Sequence, residues 1–193
     1  MAGRPKEFNE QAVLDRALDV FWRQGYGGTS TEELLAAMGL NRGSLYHAFG
    51  SKEGVYQQAV AAYTERSLAE LRTFLLAGPD PVAAIRAVFE NLAYRTEPGD
   101  VGRGCFFGNA LAELSAAAPA LQAASAHMLR AIENAFAEAV TLAQQRGLLA
   151  TPVPAAHLGR HLITLWNGLY LTRRLHPGQA LMPAIELGLS VLT

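Results

Sequence analysis

Cysteine is nearly absent: Cys105 stands alone among 193 residues. A chain with one thiol has no internal disulfide framework, and such sparing use suits a reducing cytoplasm, the compartment expected here. No apolar stretch approaches the ~20 residues that a membrane helix needs, so a membrane is not an expected partner. The opening "MAGRPKEF" carries charge with no apolar run behind it, unlike a secretory signal. A surplus of one charge is missing too. Sixteen Lys and Arg stand against 17 Asp and Glu, a formal net charge of −1. That balance lacks the basic excess on which sequence-independent DNA binding normally leans. Runs of alternating β-branched residues and internal repeats are also wanting. Charged residues make up only 17 % of the chain while half is apolar, which excludes disorder and leaves ample material for a core.

What remains is helical. Leu14, Ala17, Leu18 and Phe21 fall at helical spacing, and Phe8 before Asn9 is placed to staple onto Val13. Gly25 and Gly27-Gly28 end that helix. Ser30 with Glu33 makes a capping box for a short second helix that Gly39 terminates. Asn41 caps a third through about Phe49, and Ser51 caps a long fourth to about Ala77, where "AGPDP" breaks it. Beyond lie alanine- and leucine-rich helices near 81–94, 105–116, 119–146, 155–174 and 179–192. The expected fold is all-α: a three-helix helix-turn-helix domain over residues 1–50, then a larger helical domain over 51–193 whose first helix links the two.

The two short helices joined at Gly39-Leu40-Asn41 have the length and turn chemistry of a helix-turn-helix. Gly39 supplies the positive φ of the turn, and Leu34, Met38, Leu40, Leu45 and Phe49 lock both helices over the first. In such a motif the second helix enters the major groove by its N-terminal end, here Arg42-Gly43-Ser44. Arg42 suits a guanine edge or a phosphate, Gly43 lets backbone approach DNA, and Tyr46 and His47 suit phosphates. Lys52, at a helix start, suits another phosphate. Arg4 and Lys6 form a basic arm fit for a minor groove. From Gly39 to Lys52 there are two cations, one histidine and no acid. The plain alternative is a tight helical turn with a solvated polar face.

Residues 4–60 resemble the DNA-binding head of the TetR family of bacterial transcriptional regulators. The resemblance lies in "ALDVFWRQGYGGTSTEELLAAMGLNRGSLYHAFGSKEGVY", above all in Gly25, Thr29, Gly39, Leu45-Tyr46, Phe49 and Lys52-Glu53; Leu35 stands where many relatives carry alanine. The candidate DNA-binding set is Arg4, Lys6, Thr29, Thr31, Asn41, Arg42, Gly43, Ser44, Tyr46, His47 and Lys52. The resemblance implies double-stranded operator DNA as partner, and a body that binds a small-molecule effector and forms a homodimer.

In that body Phe89, Tyr94, Phe106, Phe107, His127, Phe136, Trp166 and Tyr170 offer an aromatic lining with polar tips, the character of a small-molecule pocket; the plain alternative is core. Asn109, His127 and Asn167 are its polar candidates. The expected effector pocket comprises Phe89, Tyr94, Cys105, Phe106, Phe107, Asn109, His127, Trp166 and Tyr170. Cys105 sits at a helix start near Arg103, and both features lower a thiol pKa, although a free cysteine is commonly a small buried apolar residue. His157 and His161 share a helical face, but Leu158 stands where a metallopeptidase needs glutamate and no further ligand adjoins, so no metal is expected. Leu158, Leu162, Leu165, Leu169, Leu181, Ile185, Leu189 and Leu192 suit a dimer interface built from the last two helices, with Gly159 and Gly168 allowing close approach; the alternative is core within the chain.

These residues favour a ligand-responsive regulator, a homodimeric repressor released from its operator by a small molecule or by an oxidant or electrophile acting at Cys105. One alternative is an enzyme with Cys105 as nucleophile and His127 as base, although no oxyanion-hole or cofactor motif accompanies them. The other is a sequence-independent DNA-binding protein. No cofactor is expected.

Overall fold

A computed structural model describes residues 9–94, 103–114 and 118–193. Phe8, Arg4 and Lys6 lie outside the described residues. The helices are α1 (Glu10–Gly28), α2 (Thr31–Met38), α3 (Arg42–Phe49), α4 (Lys52–Leu76), α5 (Pro81–Tyr94), α6 (Phe106–Glu113), α7 (Pro119–Gln145), α8 (Ala155–Thr172) and α9 (Met182–Leu189). Short 3-10 turns, Gly178–Leu181 and Ser190–Leu192, flank α9, so the last expected helix is three pieces. No strand occurs among the described residues, and the fold is all-α.

Local capping explains the starts. Asn9 Oδ1 accepts from the Ala12 N–H at 3.1 Å, and Ser51 Oγ from the Gly54 N–H at 3.0 Å. Each satisfies an amide that the first helical turn leaves unpaired. Gly25, at φ 77° and ψ 170°, interrupts α1 where the sequence places its end.

The chain divides into two compact units, Met1–Arg66 and Ser67–Thr193. The division falls inside α4. The reason is packing: Val55, Tyr56, Ala59 and Val60 of α4 are buried in the first unit. Tyr56 meets Phe21 edge-on at 5.0 Å and Tyr26 at 5.1 Å. With Val13, Leu14, Leu18, Leu34, Met38, Leu45 and Phe49 these side chains form the unit's core. Full burial of one such side chain stabilises by about 1.5–3 kcal/mol.

In the second unit α7 packs against α5, α6 and α8. Its inner face alternates Phe136 with Ala135, Ala139, Val140 and Ala143, small residues that bring neighbouring helices close. Gly159 serves the same contact: a Cβ there would lie 2.8 Å from the Glu133 carbonyl oxygen and 2.9 Å from the Ala137 Cβ. This corrects the reading of Gly159 as a dimer contact. Leu158, Leu162, Leu169, Leu181, Ile185, Leu189 and Leu192 are likewise buried within the chain. Helical periodicity identified a buried face, and the fold covers that face with the chain's own helices.

Candidate nucleic-acid interface

The surface of α3 is built by fixing both of its ends. The capping box of α2 is complete: the Ser30 N–H donates to Glu33 Oε2 at 2.8 Å, and Ser30 Oγ accepts from the Glu33 N–H at 3.2 Å. The Ser30 backbone N–H, then its hydroxyl, hold the Glu33 carboxyl below the usual carboxylate range. Gly39 takes φ 68° and ψ 32°, and the Gly39 and Leu40 N–H groups both donate to the Leu35 carbonyl. Asn41 Oδ1 then accepts from the Ser44 N–H at 2.8 Å and starts α3 at Arg42. Leu45 and Phe49 turn into the core, leaving Arg42, Gly43, Tyr46 and His47 exposed and Ser44 half-buried. Thr31, in the first turn of α2, is half-buried.

Where α3 ends, a Cβ on Gly54 would lie 1.9 Å from the Phe49 carbonyl oxygen. Only glycine lets the first turn of α4 sit there. Gly54 is not among the expected site residues; its signal in the sequence is a glycine within a helix's first turn.

One expected DNA contact faces inward, and another is tied to the backbone. Thr29 is 1 % exposed, and its Oγ1 donates to the Gly25 carbonyl at 2.6 Å. Lys52 Nζ donates to the Thr29 carbonyl and sits 4.5 Å from the centroid of the Tyr26 ring. Burial, then the charge of Glu53, push the Tyr26 phenol up, so it stays neutral beneath the ammonium. Lys52 thus clasps the start of α4 to the end of α1, a contact the sequence did not show. Arg42 also has a partner the sequence concealed: its Nη2 donates to Glu32 Oε1 of α2. The stretch from Gly39 to Lys52 holds no acid, but the fold brings one alongside.

The body gathers some of the expected pocket residues and separates others. Phe89 lies 5.6 Å from Phe136 and 5.9 Å from Trp166, and Trp166 lies 5.0 Å from Tyr170, centroid to centroid. Phe106 and Phe107 are buried and meet edge-on at 5.3 Å. Tyr94, 56 % exposed, and the exposed His127 and Asn109 are corrections to the expected lining. Asn109 instead braces the turn before α6, donating from Nδ2 to the Arg103 carbonyl at 2.6 Å and accepting from Arg174 at 3.4 Å. Arg173, not anticipated, is buried with its guanidinium 5.8 Å from the Tyr170 ring centroid.

Cys105 caps α6, its Sγ accepting from the Gly108 N–H at 3.5 Å. Burial pushes the thiol pKa up, outweighing the backbone N–H groups of Gly108 and Phe107 and the Trp166 indole, which favour the thiolate. The expectation of a lowered pKa is therefore corrected: desolvation exceeds the helix-terminus effect. Beside this cap, Asn167 Oδ1 is buried without a hydrogen-bond partner, while the Trp166 indole N–H faces the Cys105 sulfur. A Cβ on Gly108 would lie 3.1 Å from Asn167 Oδ1 and 3.8 Å from Cys105 Sγ, which shows how closely these groups converge.

His161 Nε2 makes a 2.7 Å hydrogen bond with the Gly188 carbonyl, so this nitrogen carries the proton and ties α8 to the end of α9. Among the described residues no group of three or more His, Cys, Asp or Glu is placed to hold a metal, and no helix is long and apolar enough to cross a membrane. An open groove of about 620 Å³ runs along α7 past Leu76, Ala155 and Ala156, and no expected effector residue lines it.

Residues 13–59 match the profile described as "Bacterial regulatory proteins, tetR family", and residues 81–185 match "Tetracyclin repressor-like, C-terminal domain". The HTH-type transcriptional regulator YezE of Bacillus subtilis is 32 % identical over 147 residues, which is 76 % of each chain. The HTH-type transcriptional repressor ComR of Escherichia coli is 29 % identical across 89 % of this chain and 82 % of its own. Among solved structures, a cysteine-substituted TetR family regulator CifR, complexed with 26bp double-strand operator DNA, superposes with a TM-score of 0.87. It is 28 % identical, and the match covers 99 % of this chain and 100 % of that one. With both halves of its fold matched in this way, the chain belongs to the TetR family of bacterial regulatory proteins and is a DNA-binding transcriptional regulator, not an enzyme.

Proposed function

We propose that the protein is a homodimeric repressor that grips double-stranded operator DNA with α3 and lets go when a small neutral molecule enters the body. In this reading residues 1–50 read DNA and residues 51–193 bind the effector and dimerise, with α4 carrying the message because it belongs to both units. Support for the DNA side is the exposure of Arg42 and Gly43 on a helix anchored from behind by Leu45 and Phe49. Arg42 reads a guanine, Tyr46 and His47 hold phosphates, and Arg4 and Lys6 form the minor-groove arm. Lys52 contributes by holding the scaffold. The relative ComR is named a repressor, which supports that sign of regulation.

The observation that carries the effector side is the unsatisfied Asn167 Oδ1, next to Trp166 and its ring neighbours Phe89, Phe136 and Tyr170. An unmet buried polar group costs about 1–3 kcal/mol. A neutral ligand with a hydrogen-bond donor recovers part of that cost and rests its apolar body on the rings. The raised thiol pKa of Cys105 favours this ligand over an oxidant, which requires thiolate. For dimerisation the support is the apolar surface left bare near the last two helices: Leu171, Leu175, Leu187 (77 % exposed) and Val191.

The test is a gel shift with the DNA upstream of the protein's own gene, repeated with neutral metabolites and oxidants. One near-palindromic duplex should bind far more tightly than random DNA and be released by a neutral compound. Arg42→Ala should cost about 1–3 kcal/mol and relax preference at one base position. Equal affinity for random and upstream DNA would end this reading.

A further inference from the structure

We infer that Glu32 is a positioning residue for operator recognition, holding the Arg42 guanidinium across the N-terminal end of α3 and setting how strictly Arg42 discriminates among bases. The inference rests on the reading of Arg42 as a base contact. Its basis is the Arg42–Glu32 ion pair, which joins the two helices of the motif at the surface, with 61 % and 69 % of the side chains exposed. Both anchors are fixed. Glu32 lies in the first turn of α2, set by the Ser30–Glu33 box, and Arg42 is the first residue of α3, set by Asn41. The neighbouring Glu33 is committed to Ser30 and Gln24, so Glu32 is the acid of that turn that reaches Arg42.

The donor count makes the arrangement compatible with base reading. A guanidinium has five N–H donors, and a bidentate contact with a guanine edge uses two. Glu32 therefore stays bound to another donor while Arg42 reads. An arginine held in this way loses less rotamer freedom on binding. Released from its carboxylate, the same side chain swings to phosphates, which line every sequence alike. The negative charge of Glu32 acts in the same direction, since it repels the backbone of any duplex. Glu32 thus lowers total affinity and raises discrimination.

The experiment uses the full chain, its operator, operators changed at each guanine in turn, and a random duplex, over a range of salt. Glu32→Gln should bind random DNA several-fold more tightly and steepen the salt dependence by about one phosphate contact. Its preference for the guanine read by Arg42 should fall about three- to tenfold. Glu32→Asp, which keeps the charge but shortens the reach, should keep the weak random binding and still lose discrimination. In an Arg42→Ala background, Glu32→Gln should leave base preference unchanged. If Arg42→Ala abolishes the preference and Glu32→Gln retains it, the inference is wrong and Arg42 reads alone. If Arg42→Ala itself leaves base preference intact, the reading of Arg42 fails and takes the role of Glu32 with it. Uniform weakening on all duplexes with a lower melting temperature would make Glu32 a mere support of α2.

Discussion

The DNA-reading unit ties down its helix ends, whereas the body keeps one polar atom of its interior unmet. Around α2 and α3 the polar groups at the helix ends are tied: Ser30 to Glu33, Asn41 to Ser44, Thr29 to Gly25, Lys52 to Thr29. In the body, Asn167 Oδ1 is buried and untied. A reader of fixed base geometry gains from ends that do not move, because an arginine displaced by an ångström misses its base edge. A sensor needs the contrary, a place where a visitor's hydrogen bonds are worth more than those already made.

The hardest way to break the contrast is to strain the rigid side. Gly54→Ala pushes a methyl group onto the Phe49 carbonyl, and we expect about 2–3 kcal/mol of destabilisation and loss of operator binding. A melt followed by circular dichroism, with a parallel gel shift, measures both; an unchanged melt would mean the turn relaxes freely. Lys52→Met should come next, costing about 1–2 kcal/mol by leaving the Thr29 carbonyl unmet. It should weaken all DNA sequences alike with the salt slope unaltered. A slope reduced by about one contact would instead make Lys52 a phosphate ligand.

Asn167→Leu should run the other way. Replacing an unmet acceptor by an apolar group of similar size should raise stability by roughly 1 kcal/mol and blunt release from the operator. Destabilisation would show that Asn167 is already satisfied by water. The smallest effect concerns Cys105. Its folded pKa is raised, so the thiol stabilises fully below its unfolded pKa, and that stability is lost as pH rises through the folded value. Chemical denaturation from pH 7 to 10 should show an alkaline decline in the parent that Cys105→Ser lacks. Iodoacetamide at pH 8 should alkylate Cys105 on the order of tenfold more slowly than a free thiol.

How much was legible follows from range along the chain. The caps at Asn9, Ser30, Asn41 and Ser51 were readable because each bond spans three residues. The Arg42–Glu32 and Lys52–Thr29 contacts span 10 and 23 residues, and only the folded turns create them. In the body the limit was helix phase. Alanines surround His127 on several sides of α7, so the sequence carried no clear mark of which side faces inward, and His127 emerges exposed. The stripe of Leu158, Leu162 and Leu169 declared a buried face without naming what buries it.

The bracketing of α3 by Asn41 on one side and Gly50 and Gly54 on the other makes its outer surface a removable cassette. Arg42, Gly43, Tyr46 and His47 lie outside the packing that Leu45 and Phe49 provide. Exchanging those four side chains, with Glu32 chosen to match, is therefore a route to retargeting the protein to a new promoter without redesigning its interior.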